Sequence, residues 1–488
     1  MKHPLVAAAQ FEAHPLPTWK PTSLASAVGV GMMVLGAGLS LLRVRYLLAW
    51  SYDLGFYIQN LFAIRAGLWS NTIYGFGVFS DHVSPILIPL AWLVPASAPG
   101  EALVILQSIA IGAAVFPIAK LGAEIAGKRG SVIACVWYAG SAAIWHALMY
   151  DFHPVTLALP FGAWVLLEIE RREGGRPWIP LLAMPLIRED VALLYGVVVL
   201  IAGVRQKKQS WRATGLSVAG VGIIFMLVMR AQTGIGNHLW YRYQFNGIGE
   251  LLSRPFRVDL VIGLAAVLGP MLVVPVFRGW RRSWPGLALL GSFALSSWPT
   301  QISLYFQYYA QVVPFLIAGA ISSFALTQWK RRLRLSLLAT LLLGVLLGPF
   351  FYIGYGSPDR YSSVILGSDW RIEARSLLSS VPAVASVSAT DLLTPPLAWR
   401  AEVHPFPGPM VCGDSFLYFT PSTRSVDYVL LETRTAPTGV EWSSTLTEWG
   451  FVLQDQAVGV ELWKLVSDAV PRHGCSSWEQ QMEDSLAN

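Results

Sequence analysis

From residue 24 to residue 353 the chain alternates apolar runs with short basic loops, and this alternation limits its fold more than any other feature. A helix crosses the roughly 30 Å hydrocarbon core of a bilayer with about 20 apolar residues. Backbone amides in lipid find no water, so a chain built this way must close its hydrogen bonds within helices. The runs are residues 24–42, 101–126, 130–149, 155–169, 177–187, 190–204, 213–230, 258–277, 285–299, 312–328 and 335–353, which predicts about eleven transmembrane helices. No internal repeat marks two transporter-like halves.

The loops set the orientation. Basic residues cluster at Lys128–Arg129, at Arg171, Arg172 and Arg176, at Arg205, Lys207, Lys208 and Arg212, at Arg278, Arg281 and Arg282, and at Lys330, Arg331, Arg332 and Arg334. Short loops rich in Lys and Arg stay in the cytoplasm, and with the N-terminus inside, every cluster falls on that side. Residues 43–100, 231–257 and 300–311 and the turns at Asp151–Pro154 and Arg188–Asp190 then face out, as does the tail 355–488. Residues 177–204 carry three charges near their middle. One helix would bury each at about 2.5–3.5 kcal/mol, so two short helices of about 21 Å each, at 1.5 Å per residue, are expected instead. Residues 84–95, interrupted by Pro85, Pro89 and Pro95, are too short to cross and read as interfacial.

Composition agrees. Only 13% of residues are charged and the mean hydropathy is +0.51, against roughly 25% charged in soluble proteins. The net charge of +6 lies in the loop clusters, which argues against a nucleic-acid partner and for the lipid bilayer. The 20 Trp suit the membrane–water boundary. The first 23 residues read as a cytoplasmic segment, and the first run as a retained anchor without a cleavage site. The tail alternates β-rich runs (Ala385–Ala389, Tyr428–Glu432, and Val452 to Leu465 interrupted at Gln454–Gln456) with turns. A short helix over Leu392–Trp399 and a small extracytoplasmic α/β domain are expected there. Cys412 and Cys475 share an outside compartment where a disulfide can persist, so their pairing is an expectation.

Charges at membrane depth are expensive unless they line a cavity or act. Here they gather on the outer side: Asp53 after the first span, Asp81 and His82 in the first outer loop, Asp151 and His153 in the second turn, and Arg188, Glu189 and Asp190 in the third. A carboxylate held there could deprotonate a hydroxyl or amine, and an Arg could bind a phosphate and stabilise it as a leaving group. Simpler roles compete. Asp53 could cap the helix starting at Leu54, the Arg-Glu-Asp turn could be an internal ion network, and Tyr305, Tyr308 and Tyr309 could form an aromatic belt. Metal-ligand spacing is lacking, and a divalent cation is the one cofactor candidate.

Tyr52-Asp-Leu-Gly-Phe-Tyr-Ile-Gln59, His82-Val-Ser-Pro-Ile-Leu87, Asp151-Phe-His-Pro154, Arg188-Glu-Asp-Val191, Gln307 to Phe315, Val381-Pro to Ala389 and Val426 to Leu431 together resemble the domain-of-unknown-function 2079 family of bacterial membrane proteins. That family usually has Lys at the position of Arg188 and His near Gln307. Its layout is similar to GT-C glycosyltransferases, which use polyprenyl-phosphate-linked sugars. The resemblance implies a bacterial inner-membrane glycosyltransferase that moves a sugar from a polyprenyl-phosphate donor to an acceptor on the outer face. Asp53 would be the base. Arg188 would take the phosphate, with Glu189, Asp190, His82, Asp151, His153 and Tyr308 around the substrate. A small-molecule or lipid transporter and a non-catalytic scaffold are the rival readings.

Overall fold

The computed structural model describes residues 23–171, 174–233, 253–273, 278–325, 330–348, 370–410, 425–433, 436, 440–457 and 459–466. Among the described residues, each expected apolar run overlaps a helix or a pair of shorter ones. The first run is Ser23–Arg45, the paired second and third lie within Pro99–Ala113, Val115–Ala139 and Ala142–Met149, and the last is Lys330–Leu347. Among the described residues, three helices are long and apolar enough to cross on length and composition alone: Ser23–Arg45, Pro99–Ala139 and Gln209–Met229. Residues 177–187 form the one-turn helices Trp178–Leu181 and Met184–Ile187, since Pro185 cannot donate to the preceding turn.

Within the 41-residue stretch Pro99–Ala139, Ala126 and Gly127 leave helical geometry, and Gly127 takes φ +65°. That turn is the expected Lys128–Arg129 loop. It folds the two arms so tightly that a Cβ on Gly122 would lie 2.4 Å from the Gly130 carbonyl oxygen, a contact that admits only glycine. The bundle's outer surface is apolar: Val34 is 65% exposed and Leu338 62%. In water each such side chain would forfeit about 1.5–3 kcal/mol of burial, whereas against acyl chains it forfeits nothing. The segment expected at the interface contains a seven-residue helix, Leu87–Leu93, with Trp92 and Leu93 exposed.

At the end of the bundle where Arg205 lies, loops are joined by Arg282, whose guanidinium grips the Glu170 carboxylate with two bonds of 2.8 Å. At the other end, after the first helix, a π-helical turn Ser51–Gly55 leads into the helix Phe56–Ala66. A small hairpin of β1 (Ser70–Asn71) and β2 (Phe76–Gly77) follows.

The C-terminal region holds a five-stranded sheet of β3 (Val387–Ala389), β4 (Val403–Pro405), β5 (Tyr428–Glu432), β6 (Phe451–Ala457) and β7 (Val460–Leu465), in the order β4-β3-β5-β7-β6. β3 pairs in parallel with β4 and β5, and β7 runs antiparallel to β5 and β6. The helices Trp370–Ser380 and Trp442–Glu448 pack on it. Two expectations change in detail. Residues 392–399 form two 3-10 turns, Asp391–Leu393 and Pro395–Leu397, because the Pro395–Pro396 pair stops an α-helix. β6 runs through Gln454–Gln456 with a register shift between Leu453 and Asp455 in place of a break.

The sheet is seated on the bundle. The Thr72 hydroxyl donates to the Val403 carbonyl (2.7 Å) and accepts from the Val403 N–H (3.0 Å). One apolar cluster continues from Leu54, Phe56 and Ile73 into Val387, Val403 and Leu430. Cys412, Cys475, Arg242 and most of the expected outer loop 231–257 lie outside the described residues.

Candidate functional site

The Asp53 carboxylate does not cap its helix. Oδ1 lies 3.1 Å from His153 Nε2 and Oδ2 accepts a short hydrogen bond from the Tyr150 hydroxyl. The Tyr150 and His153 rings stack, with centroids 5.5 Å apart. His153 Nδ1 faces the Asp151 carbonyl oxygen at 3.1 Å, so both ring nitrogens meet acceptors and the ring fulfils both contacts only when both carry protons. The Asp53 side chain is 22% exposed. It is held from behind and open in front.

Asp151 is a different kind of residue. Fully buried, it receives the Arg43 guanidinium at 2.6 Å on Oδ1 and the Trp50 N–H at 2.8 Å on Oδ2. Burial raises its carboxyl and Arg43 pulls it back, to about 6 in balance, and the Arg43 guanidinium meets its charge inside the protein. Asp151 therefore fixes the start of the Asp53 turn and does not itself face open space. Gln107, in the helix Pro99–Ala113, fixes the other side of this turn. Its amide nitrogen donates to the carbonyls of Ala147, Tyr150 and Asp151, and its oxygen accepts from the His153 N–H and the Thr156 hydroxyl. Arg43, Gln107 and Tyr150 were absent from the sequence-derived site. A signal existed for two of them, because an Arg at the outer end of a span and a Gln inside one both require a partner.

A second cluster joins the first and third expected outer segments. Glu189, 2% exposed, accepts from His82 Nδ1 at 2.6 Å and from the Val83 N–H at 3.0 Å. Arg188 is 4% exposed and grips Asp190 through Nε (2.6 Å) and Nη2. Its Nη1 has no hydrogen-bond partner among the described residues, which leaves one edge of the guanidinium for an anion. The Arg-Glu-Asp turn is thus an ion network with one open donor edge.

Tyr57 links the clusters. It lies one helical turn after Asp53, on the same face. Its ring meets those of Phe152 and His153 edge-on at 5.5 and 5.6 Å. Asp81, Arg188, Asp53 and Tyr308 all act on its phenol electrostatically, so charges from both clusters lie around this one side chain. The Tyr308 ring meets that of Phe293 at 6.5 Å, while Tyr305 and Phe306 pack on Tyr150 at 5.7 and 5.1 Å. Tyr309 is fully buried and donates to the Ile302 carbonyl, which removes it from any surface belt. Among the described residues, no group of three or more His, Cys, Asp or Glu is arranged to hold a metal ion.

The structure of ArnT from Cupriavidus metallidurans bound to undecaprenyl phosphate matches this fold with a TM-score of 0.58 at 11% identity, covering 92% of this chain and 99% of that one. Its apo form matches with a TM-score of 0.54, also at 11% identity, over 91% and 99% of the two chains. No curated protein sequence matches the chain. At such identity the likeness carries the fold alone, and the helical layout is the GT-C-like one that the sequence resemblance implied. The family model described as "Predicted membrane protein (DUF2079)" matches residues 43–457, nearly the whole of the bundle and the sheet, and the chain therefore belongs to the DUF2079 family of membrane proteins.

Proposed function

We propose that this protein is a GT-C-type membrane glycosyltransferase that moves a sugar from a polyprenyl-phosphate donor to an acceptor on the outer face of a bacterial inner membrane. In this reading the chain crosses the bilayer about eleven times and the tail 355–488 forms an extracytoplasmic α/β domain beside the site. The observation that carries the proposal is the Asp53 carboxylate, oriented by Tyr150 and His153 yet accessible, with Arg188 among the charges that act on Tyr57, one helical turn after it.

The acceptor hydroxyl or amine attacks the anomeric carbon and its proton passes to Asp53. The bond from that carbon to the phosphate oxygen breaks, and the polyprenyl phosphate leaves as an anion. His153, between Asp53 and the Asp151 carbonyl, holds the carboxylate in line. Arg188 Nη1 meets the charge growing on the leaving phosphate, where a fixed donor in a dry site is worth most. Tyr57 and Tyr308 line the space between base and phosphate site. His82 and Glu189 brace the Arg188 turn, and Asp190 holds the guanidinium planar to the site. Support from outside the chain is the fold shared with ArnT, one of whose structures is bound to undecaprenyl phosphate.

The test is direct. Protein in nanodiscs should bind undecaprenyl phosphate, and Arg188→Ala should weaken that binding about tenfold or more. With a polyprenyl-phosphate sugar and a cell-envelope extract as acceptor, label should move to the extract. If the lipid fails to bind the wild-type protein, the donor assignment is wrong.

A further inference from the structure

A helix leaves its first backbone N–H groups without intrahelical partners. At the start of the Asp53 turn no side chain from the turn itself supplies the missing acceptor. Two carboxylates from elsewhere do so. The Trp50 N–H donates to Asp151 at 2.8 Å, and the Ser51 N–H donates to Asp391 Oδ1, also at 2.8 Å. The Ser51 hydroxyl donates to the same Asp391 oxygen at 2.5 Å. Ser51 is fully buried, so its N–H and hydroxyl depend on partners within the protein. Asp391 lies just after β3, 340 residues along the chain from Ser51, and the joint continues on both sides. Gly55 packs on Pro395, where an added Cβ would lie 3.5 Å from the proline Cα. Thr72 exchanges hydrogen bonds with Val403.

We propose that Asp391 is a positioning residue for the reaction: the C-terminal sheet caps, through this carboxylate, the turn that carries Asp53. The tail is thereby part of the site and not an appendage that only receives the acceptor. This rests on the glycosyltransferase reading for its kinetic consequence but on geometry alone for the cap. Asp53 lies two residues beyond Ser51, so a loosened Ser51 shifts the base against His153 and Tyr150. A displacement of about 1 Å at a reacting group can cost roughly 100-fold in rate. Donor binding at Arg188 uses a different segment and does not pass through Ser51.

The experiment compares Asp391→Ala with Asp391→Asn in the full-length protein. Asn keeps an oxygen that can accept from both the Ser51 N–H and its hydroxyl, whereas Ala keeps none. Asp391→Ala should reduce kcat by roughly 10- to 100-fold with KM for the donor and undecaprenyl phosphate binding near wild type, and Asp391→Asn should restore most of the rate. Independently of activity, hydrogen exchange in the peptide around residues 50–57 should speed up in Asp391→Ala and not in Asp391→Asn. Unchanged exchange in Asp391→Ala, or equal loss of rate in both variants, overturns the proposal. A wild-type protein inactive on every polyprenyl-phosphate sugar removes the glycosyltransferase reading instead, and the exchange comparison alone then decides the cap.

Discussion

Replacing Asp53 with Asn tests the proposed base with little disturbance of its surroundings. The Asn oxygen can still accept from Tyr150, and its NH2 can donate to His153 Nε2 once that nitrogen carries no proton and Nδ1 donates to the Asp151 carbonyl. Every hydrogen bond then survives in a neutral network, so the folded state should change by no more than about 1 kcal/mol. What disappears is basicity. General-base assistance contributes about 100- to 10,000-fold, or about 3–5 kcal/mol of barrier, and transfer should fall by that factor with donor binding intact. Asp53→Ala differs, because it leaves the Tyr150 hydroxyl and His153 Nε2 without a partner at about 1–3 kcal/mol each, and its melting temperature should drop. The assay is label transfer from a polyprenyl-phosphate sugar by detergent-purified protein, with thermal melts in parallel. Near-normal turnover by Asp53→Asn would remove Asp53 from the chemistry, and a melting loss equal to that of Asp53→Ala would refute the neutral-network argument.

Arg43→Ala strands a fully buried Asp151 carboxylate and should cost about 3–5 kcal/mol, read as lost expression and a lower melting temperature, while Arg43→Ala combined with Asp151→Ala should recover part of that loss. Arg188→Lys keeps the charge but cannot hold Asp190 with two donors and still offer a third, so kcat and kcat/KM for the donor should both fall several-fold; an unchanged kcat would argue against contact with the leaving phosphate. Reporter fusions at Gln209 and Ser422 should give opposite signals, because the first lies in a basic loop and the second in the tail, and identical signals would contradict the assigned sidedness.

Chain chemistry alone settled the parts that depend on local composition. Runs of apolar residues must become helices in lipid wherever they lie, so the bundle, the loop at Lys128–Arg129 and the division of residues 177–204 could be read from hydropathy and charge. The runs Ala385–Ala389 and Tyr428–Glu432 were legible as strands bounded by turns, and the first forms a strand over its last three residues, Val387–Ala389. Charges at membrane depth are costly in any fold, which is why Asp53, His153 and Arg188 stood out. Roles within that set depended on partners far along the chain. Asp53 and Asp151 are both acidic residues beside a span, yet one is open with a His and a Tyr behind it, and the other is sealed against Arg43. Glu189 and Asp190 are adjacent, yet one serves His82 and the other Arg188. Composition cannot separate such pairs, because which carboxylate is sealed and which stays open is set by partners brought from distant segments, Arg43 to Asp151 across 108 residues and His82 to Glu189 across 107. The contact of Asp391 with Ser51 across 340 residues is of the same kind: a helix start advertises that it needs an acceptor, and only the folded chain decides which carboxylate supplies it.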